Sequence, residues 1–288
     1  MVDKYDTMST MVSFYKFGIH SRSAVIVLLL FLGLLGWWLA LHFPIRATSD
    51  ALQFWAASYQ VIAIYGAIFG LTISARWGGL KSALGRTIIA FSLGLLFQSL
   101  GQSIYSYYIY YLNQPVPYPS VGDVGFFGSI LFYLYGAWML MYIAGARVAL
   151  RNNWNQILAV FIPLLLLIFS YGIFLDEYIF DWSQPIKIFF DFGYPLGQTL
   201  YISITILAFI LSRQILGGIM RGPILIFIFA LVAQYLSDFT FLYQANRGIW
   251  YAGGLNDLMY AISYLIMAIS LIYIGYIFKQ IASSQQLS

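Results

Sequence analysis

Asp238 is the residue whose type and position point most directly to chemistry. It lies five residues before the end of a long apolar segment, about 7 Å inside it at roughly 1.5 Å per helical residue. Gln234 precedes it by one helical turn, so the two side chains share a helix face. Ionisable groups at such a depth are rare and usually functional. Asp238 and Gln234 are therefore candidate ligand-binding residues, and Asp238 is the candidate general base of an enzyme.

A second polar pair with the same spacing, Gln98 and Gln102, lies in an earlier apolar segment. If both segments are helices of one bundle, the two pairs face each other and form a polar cavity open to one side of a membrane. The alternative is that these groups only hydrogen-bond between helices and hold the bundle together. The neutral Gln102 opposite Asp238 argues against two carboxylates sharing a proton.

Three further acids, Asp123, Asp191 and Asp257, lie near the starts of apolar segments. A carboxylate there can cap free backbone N–H groups and meet the positive end of the helix dipole, which is the structural interpretation for Asp123 and Asp257. Asp191 lies about four residues inside its segment, with Lys187 one turn before it as a partner. All three are also candidate ligand-binding residues. In an enzyme, Asp257 or Asp191 would be the acid beside Asp238.

Composition excludes several kinds of site. The sequence has no cysteine and only two histidines, His20 and His42. Disulfide scaffolds, thiolate metal sites, iron–sulfur clusters and a haem held by two histidines of one bundle are therefore excluded, and we expect no cofactor or metal. The net charge of +4 does not predict nucleic-acid binding, because the basic residues lie in short loops between apolar segments.

The elements that position these residues are membrane-spanning helices. Apolar residues make up 61% of the chain and charged residues 8%, against about 25% charged in a soluble domain. The predicted fold class is all-α, a polytopic membrane helical bundle with eight transmembrane helices in residues 23–278. Each predicted span has about 20 mostly apolar residues: 23–43, 55–75, 87–110, 120–146, 157–175, 187–211, 223–243 and 255–278. Residues 1–22 and 279–288 are predicted cytoplasmic segments.

The loop charges predict the orientation. Basic residues concentrate on one side, at Lys4, Lys16, Arg22, Arg76, Lys81, Arg86, Arg147, Arg151, Arg213, Arg221 and Lys279, and only Arg46, Lys187 and Arg247 fall on the other. Because basic loops stay inside, both termini are predicted to be cytoplasmic, with the protein in the cell (inner) membrane. The candidate acids then lie towards the outer face.

The two halves of the chain show an internal repeat. Arg86 and Arg221 stand 12 and 13 residues before Gln98 and Gln234, and each of these glutamines begins a similar polar pair. Residues 23–146 and 157–278 are therefore predicted to be duplicated four-helix units. An even number of helices in each unit makes the two repeats parallel.

The chain resembles the multi-span N-terminal membrane input module of bacterial diguanylate cyclase (GGDEF)-type signalling proteins. The similarity is carried by Pro117-Tyr-Pro-Ser-Val-Gly-Asp123, Asp191-Phe-Gly-Tyr-Pro195, Ser237-Asp238, Gly248-Ile-Trp-Tyr-Ala-Gly253 and Asp257. Such modules are membrane-embedded sensors. No catalytic or kinase domain follows Lys279, so the resemblance implies a sensor-like or accessory protein that needs a protein partner for its output.

Two other function classes stay open. Eight spans with Ser237-Asp238 on a late helix also resemble the lysoplasmalogenase family of membrane lipid hydrolases, in which intramembrane acids are thought to activate water. Parallel repeats around a polar cavity are also typical of a small-solute transporter. A hydrolase needs two acids close together, a sensor needs a cavity and a protein-binding cytoplasmic face, and a transporter needs access from both sides.

Overall fold

The computed structural model describes residues 21–43, 48–176, 178–212 and 221–285. Within these ranges all regular elements are helical, and eight helices are long and apolar enough to cross a membrane. We number them in chain order as α1 Arg22–His42, α2 Ser49–Trp77, α3 Ala83–Tyr111, α4 Val121–Ile143, α5 Asn153–Phe174, α6 Pro185–Leu211, α7 Gly222–Asn246 and α8 Leu255–Ala282. The predicted all-helical class and the predicted number of spans are confirmed.

Side-chain caps decide where several of these helices begin. Ser21 accepts a hydrogen bond from the first turn of α1, Ser82 does so for α3, and Asn152 does so for α5. Such caps satisfy backbone N–H groups that have no partner within the helix. Gly78, with a φ of +87°, ends the last turn of α2. These three capped spans therefore begin one to four residues earlier than hydropathy predicts, at Arg22, Ala83 and Asn153 instead of 23, 87 and 157.

Six of the helices form a closed ring. Around the ring, α2 packs on α3, α3 on α4, α4 on α6, α6 on α7, α7 on α8, and α8 returns to α2. The other two helices lie outside it, α1 against α8 and α2, and α5 against α6. These two outer helices are also the most apolar and the least buried of the eight. Their exposed apolar faces are the surfaces that a bilayer would cover.

Glycines allow the ring helices to approach closely. A Cβ atom at Gly66 of α2 would lie 2.6 Å from the Cβ of Ala268 on α8, and one at Gly70 would lie 3.0 Å from Leu271. On the other side of the ring, a Cβ at Gly125 of α4 would lie 2.5 Å from the backbone nitrogen of Gly101 on α3. Small residues at helix crossings are typical of packing in membranes, where close contact substitutes for the hydrophobic effect.

One half of the ring interior is filled by side chains. Phe91 of α3 and Phe227 of α7 are fully buried there, with ring centroids 4.7 Å apart. Tyr133 and Tyr201, also fully buried, meet edge to face at 6.2 Å nearer the middle of the bundle. The filled half is the one near the turn between α2 and α3, so open space is left at the other end of the ring.

Candidate functional site

A cavity of about 590 Å³ occupies the other half of the ring, where α3, α5 and α7 end and α2, α4, α6 and α8 begin. All six ring helices contribute to its wall, together with loop residues and the end of α5. Its polar lining consists mainly of carboxylates, amides and tyrosines: Asp123, Asp191, Asp238, Asp257, Gln53, Gln98, Gln102, Gln198, Asn246, Tyr59, Tyr105, Tyr110, Tyr118, Tyr178, Tyr194, Tyr260 and Tyr264. The size is typical of a small-molecule site.

The cavity wall contains six of the seven candidate ligand-binding residues. These are the four acids predicted from sequence and both glutamines of α3. The seventh residue, Gln234, lies directly behind the wall and donates a hydrogen bond to Asp238 Oδ1 at 3.0 Å. The structure thus brings the candidates to one place, and their binding of a ligand stays a prediction.

Asp238 is held by three hydrogen-bond donors. Tyr201 of α6 donates to Oδ2 at 2.8 Å, and Tyr260 of α8 donates to Oδ1 at 2.9 Å, beside the bond from Gln234. The side chain is 4% exposed. Because α7 continues to Asn246, eight residues beyond Asp238, the carboxylate lies deeper than the sequence predicted. Its three donors fix its position at the floor of the cavity.

The glutamines hydrogen-bond between helices. Gln98 Nε2 donates to Ser129 Oγ of α4 at 2.8 Å, and Ser263 of α8 donates to Gln234 Oε1 at 2.6 Å. Gln102 Nε2 donates to the backbone oxygen of Ala56 at 3.0 Å, next to the interruption of α2 around residue 59. The bundle-holding interpretation therefore describes these three side chains, although Gln98 and Gln102 also line the cavity.

Asp123 and Asp257 each accept a hydrogen bond from the backbone just before the helix on which they lie. Asp123 Oδ2 accepts from the backbone N–H of Ser120 at 2.6 Å and forms a capping box with it. Its Oδ1 accepts from Tyr194 of α6 at 2.8 Å. Asp257 Oδ2 accepts from the backbone N–H of Gly253 at 2.6 Å, at the start of α8. The predicted capping role is thus present for Asp123, whereas Asp257 bonds the loop residue before the N-cap of α8; both acids also line the cavity.

Asp191 joins two loops at the mouth of the cavity. Its carboxylate accepts from Tyr118 at 2.7 Å, from Tyr178 at 2.6 Å and from Lys187 at 2.8 Å. The hydrogen bond to Asp191 raises the pKa of Tyr178 to about 12. Burial, together with the same carboxylate, raises the pKa of Tyr118 well above its ordinary value. Both phenols therefore stay protonated donors at neutral pH, and the loops stay joined.

The tyrosines that hold the acids were not identified from the sequence. Tyr194 binds Asp123, whereas Tyr201 and Tyr260 bind Asp238. A tyrosine-rich membrane sequence is usually explained by the interfacial aromatic belt, and composition alone does not separate the two uses. The available signal was that Tyr201 and Tyr260 lie inside predicted spans, away from the interface.

In the described part of the chain, no group of three or more histidine, aspartate or glutamate side chains is placed to hold a metal ion. Each cavity acid is instead bonded to hydroxyl, amide, backbone or ammonium donors from the protein. The wall thus combines carboxylate and amide oxygens with aromatic rings.

The fold and the cavity are those of a multi-span helical membrane protein with a small-molecule-sized site at one end. Comparisons with models of protein families, with curated proteins and with solved structures found no match for the chain.

Proposed function

We propose that the protein is a sensor-like or accessory protein of the cell membrane, which binds a ligand in the cavity from the outer face and acts through a partner protein. The observation that carries this proposal is the one-ended cavity. Its wall includes Asp238 and Asp257, whereas the opposite half of the ring is closed by buried rings such as Phe91 and Phe227. A site of this form binds a solute without conducting it.

The charge distribution supports an outward-facing cavity with both termini in the cytoplasm. Arg76, Lys81 and Arg86 lie at the turn between α2 and α3, and Lys279 lies in the last part of α8, all at the end opposite the cavity. Basic residues near helix ends favour the cytoplasmic side. The same end would present the protein-binding face that a signalling partner needs.

We also propose that the chain is a duplicated four-helix unit, α1–α4 and α5–α8, and the packing supports this. Gln98 bonds Ser129 between α3 and α4, and Gln234 bonds Ser263 between α7 and α8. Asp123 and Asp257 also make similar bonds to the preceding backbone at the starts of α4 and α8, to residues three and four positions earlier. Two units related in this way place the ligand cavity between them, where a bound molecule contacts both.

The two alternative functions have less support. A lipid hydrolase using Asp238 with Asp257 or Asp191 needs two carboxylates close together, yet each of these acids is bonded to donors of its own. A transporter needs access from the second side, which the filled half of the ring does not offer. No contact between the described residues specifically supports the hydrolase or the transporter.

Cysteine accessibility tests the outward-facing cavity, and the chain has no native cysteine to interfere. Ser106 lines the cavity, and Leu80 is exposed at the turn between α2 and α3. In intact spheroplasts, a membrane-impermeant thiol reagent should label the Ser106→Cys variant, and the Leu80→Cys variant only after permeabilisation. The reverse pattern would overturn the orientation, and an unreactive Ser106→Cys variant in both conditions would overturn the open cavity.

The partner is tested by affinity purification from native membranes in a mild detergent, followed by mass spectrometry of co-purifying proteins. A stoichiometric signalling or complex-forming protein, absent from a parallel purification of untagged membranes, is expected. Recovery of the protein alone with a bound lipid would contradict the sensor-like proposal and favour the hydrolase or the transporter.

A further inference from the structure

The cavity wall is unbalanced in charge. Four carboxylates line the cavity, and Lys187 is the single cationic side chain among the described lining residues. Lys187 already pairs with Asp191 at 2.8 Å. Asp123, Asp238 and Asp257 therefore face the cavity without a cationic partner in the described part of the chain. A buried carboxylate without a counter-charge is costly, and a cationic ligand would offset that cost.

Asp257 has an oxygen that the protein leaves free. The residue is 3% exposed, and its Oδ2 accepts from the backbone N–H of Gly253. Its Oδ1 has no donor among the described residues, and the side chain lines the cavity. Asp238, in contrast, has donors on both oxygens. The free oxygen of Asp257 is thus an unused acceptor on a residue that lines the cavity.

A row of tyrosine rings lies beside this oxygen in the wall. Tyr59 and Tyr264 stack with centroids 5.9 Å apart and an interplanar angle of 27°, and Tyr260 follows at 6.1 Å from Tyr264. Asp257, Tyr260 and Tyr264 all lie on α8 at a spacing that puts them on one helix face. Tyr59 and Tyr264 are 2% and 1% exposed and largely cover each other, so the partly buried Tyr260 is the ring whose electron-rich face can attract an ammonium group.

We propose that the cavity binds an organic amine in its protonated form, with an N–H of the ammonium donating to Asp257 Oδ1 beside the tyrosine row. The ligand has an apolar body, because Phe126, Phe190 and Phe241 also line the cavity and about 590 Å³ far exceeds an ammonium group alone. This inference rests on the proposed function, since it names the ligand class of the same site.

Isothermal titration calorimetry on the whole protein in lipid nanodiscs tests the inference with matched pairs of probes. Benzylammonium, phenethylammonium and cyclohexylammonium are each compared with benzyl alcohol, 2-phenylethanol and cyclohexanol, which have similar shape but no charge. At least one ammonium should bind about tenfold or more tightly than its alcohol, because it adds a charged hydrogen bond and a cation–π contact. Saturating ammonium should also slow the labelling of the Ser106→Cys variant.

Asp257→Asn is the decisive variant. The amide oxygen can still accept from Gly253 N–H, so this bond to the backbone is retained while the charge is lost. Ammonium binding should fall about tenfold or more, with no matching change for the alcohol. Asp50→Asn is the matched control, since Asp50 is an exposed acid in the first turn of α2 and does not line the cavity. If Asp257→Asn does not fold, the inference is decided by whether saturating ammonium slows the labelling of the Ser106→Cys variant more than the matching alcohol does.

The results of these experiments distinguish a failure of the amine inference from a failure of the proposed sensor-like function. Equal binding of ammonium and alcohol overturns the amine inference but leaves a ligand-binding cavity. If none of the six probes binds and the Ser106→Cys variant is still labelled from outside, the amine inference is overturned but the outward-facing cavity is not. An unlabelled Ser106→Cys variant that binds no probe overturns both proposals.

Discussion

Asp238 connects three helices through its hydrogen bonds, since it lies on α7 and accepts from Tyr201 of α6 and Tyr260 of α8. Removing one hydroxyl leaves the buried carboxylate under-satisfied. We expect Tyr201→Phe to lower the free energy of unfolding by about 1.5–3 kcal/mol, as for a hydrogen bond to a charged group. Thermal unfolding in detergent measures the effect. Tyr171→Phe on the exposed face of α5 is the control and should change little; equal effects would mean that the hydroxyl of Tyr201 contributes nothing specific.

Asp123 stabilises the start of α4 through its capping box with Ser120. We expect Asp123→Ala to lower the free energy of unfolding by about 0.5–2 kcal/mol, because the helix loses a cap. Asp50 also lies in the first turn of a helix, but among the described residues its side chain accepts only from the neighbouring exposed Ser49 hydroxyl. Asp50→Ala should therefore cost less in the same thermal unfolding experiment. A larger loss at Asp50 would contradict the assigned role of the capping box.

At the scale of single residues, the sequence identified the acids and glutamines but not their hydrogen-bond partners. Asp238 and Gln234 stand out because polar side chains are rare in apolar segments. Their partners Tyr201 and Ser263 lie on other helices, so identifying them needs the order in which the helices pack. That order follows from side-chain packing between distant segments, which hydropathy does not encode.

The crossing of α2 and α8 depends on glycine. A Cβ at Gly66 would lie 2.6 Å from the Cβ of Ala268 and 3.0 Å from its Cα, which is backbone and cannot turn away. We expect Gly66→Ala to lower the free energy of unfolding by about 1–3 kcal/mol through overpacking. Thermal unfolding again provides the measurement.

Gly172 of α5 supplies the matched control for this crossing. A Cβ added there would meet nothing within 4 Å. Gly172→Ala should be neutral or slightly stabilising, because alanine has the higher helix propensity. If both alanine variants behave alike, close contact at Gly66 does not stabilise the bundle.

The helices themselves were readily predicted, because a chain in lipid must satisfy its backbone hydrogen bonds within each span. The predicted ends of the helices were less accurate. Hydropathy placed the start of α3 at residue 87, whereas the Ser82 cap starts it at Ala83. It also treated the second span as one helix, whereas α2 is interrupted between Ser58 and Val61. Caps and interruptions depend on single polar contacts, to which an average over about 20 residues is insensitive.

At the scale of the whole molecule, the ring has an open half and a filled half, and α3 passes through both. Ser106 lines the cavity, whereas Ser92 is fully buried in the filled half, about 21 Å away at roughly 1.5 Å per residue. A one-ended binding protein keeps Ser92 sealed from both sides of the membrane. A transporter that alternates its access would open the filled half to the cytoplasm.

We expect a Ser92→Cys variant to resist a small impermeant thiol reagent applied to either face, with and without the ammonium probes. The Ser106→Cys variant is its matched control, since it places the same new side chain on the same helix and should react from outside. Labelling is read by mass spectrometry of the intact protein after reaction with spheroplasts or inside-out vesicles. Labelling of Ser92→Cys from the cytoplasmic face, and protection of Ser106→Cys at the same time, would identify alternating access. The filled half of the ring would then be a gate of a transporter, and the sensor-like proposal would be wrong.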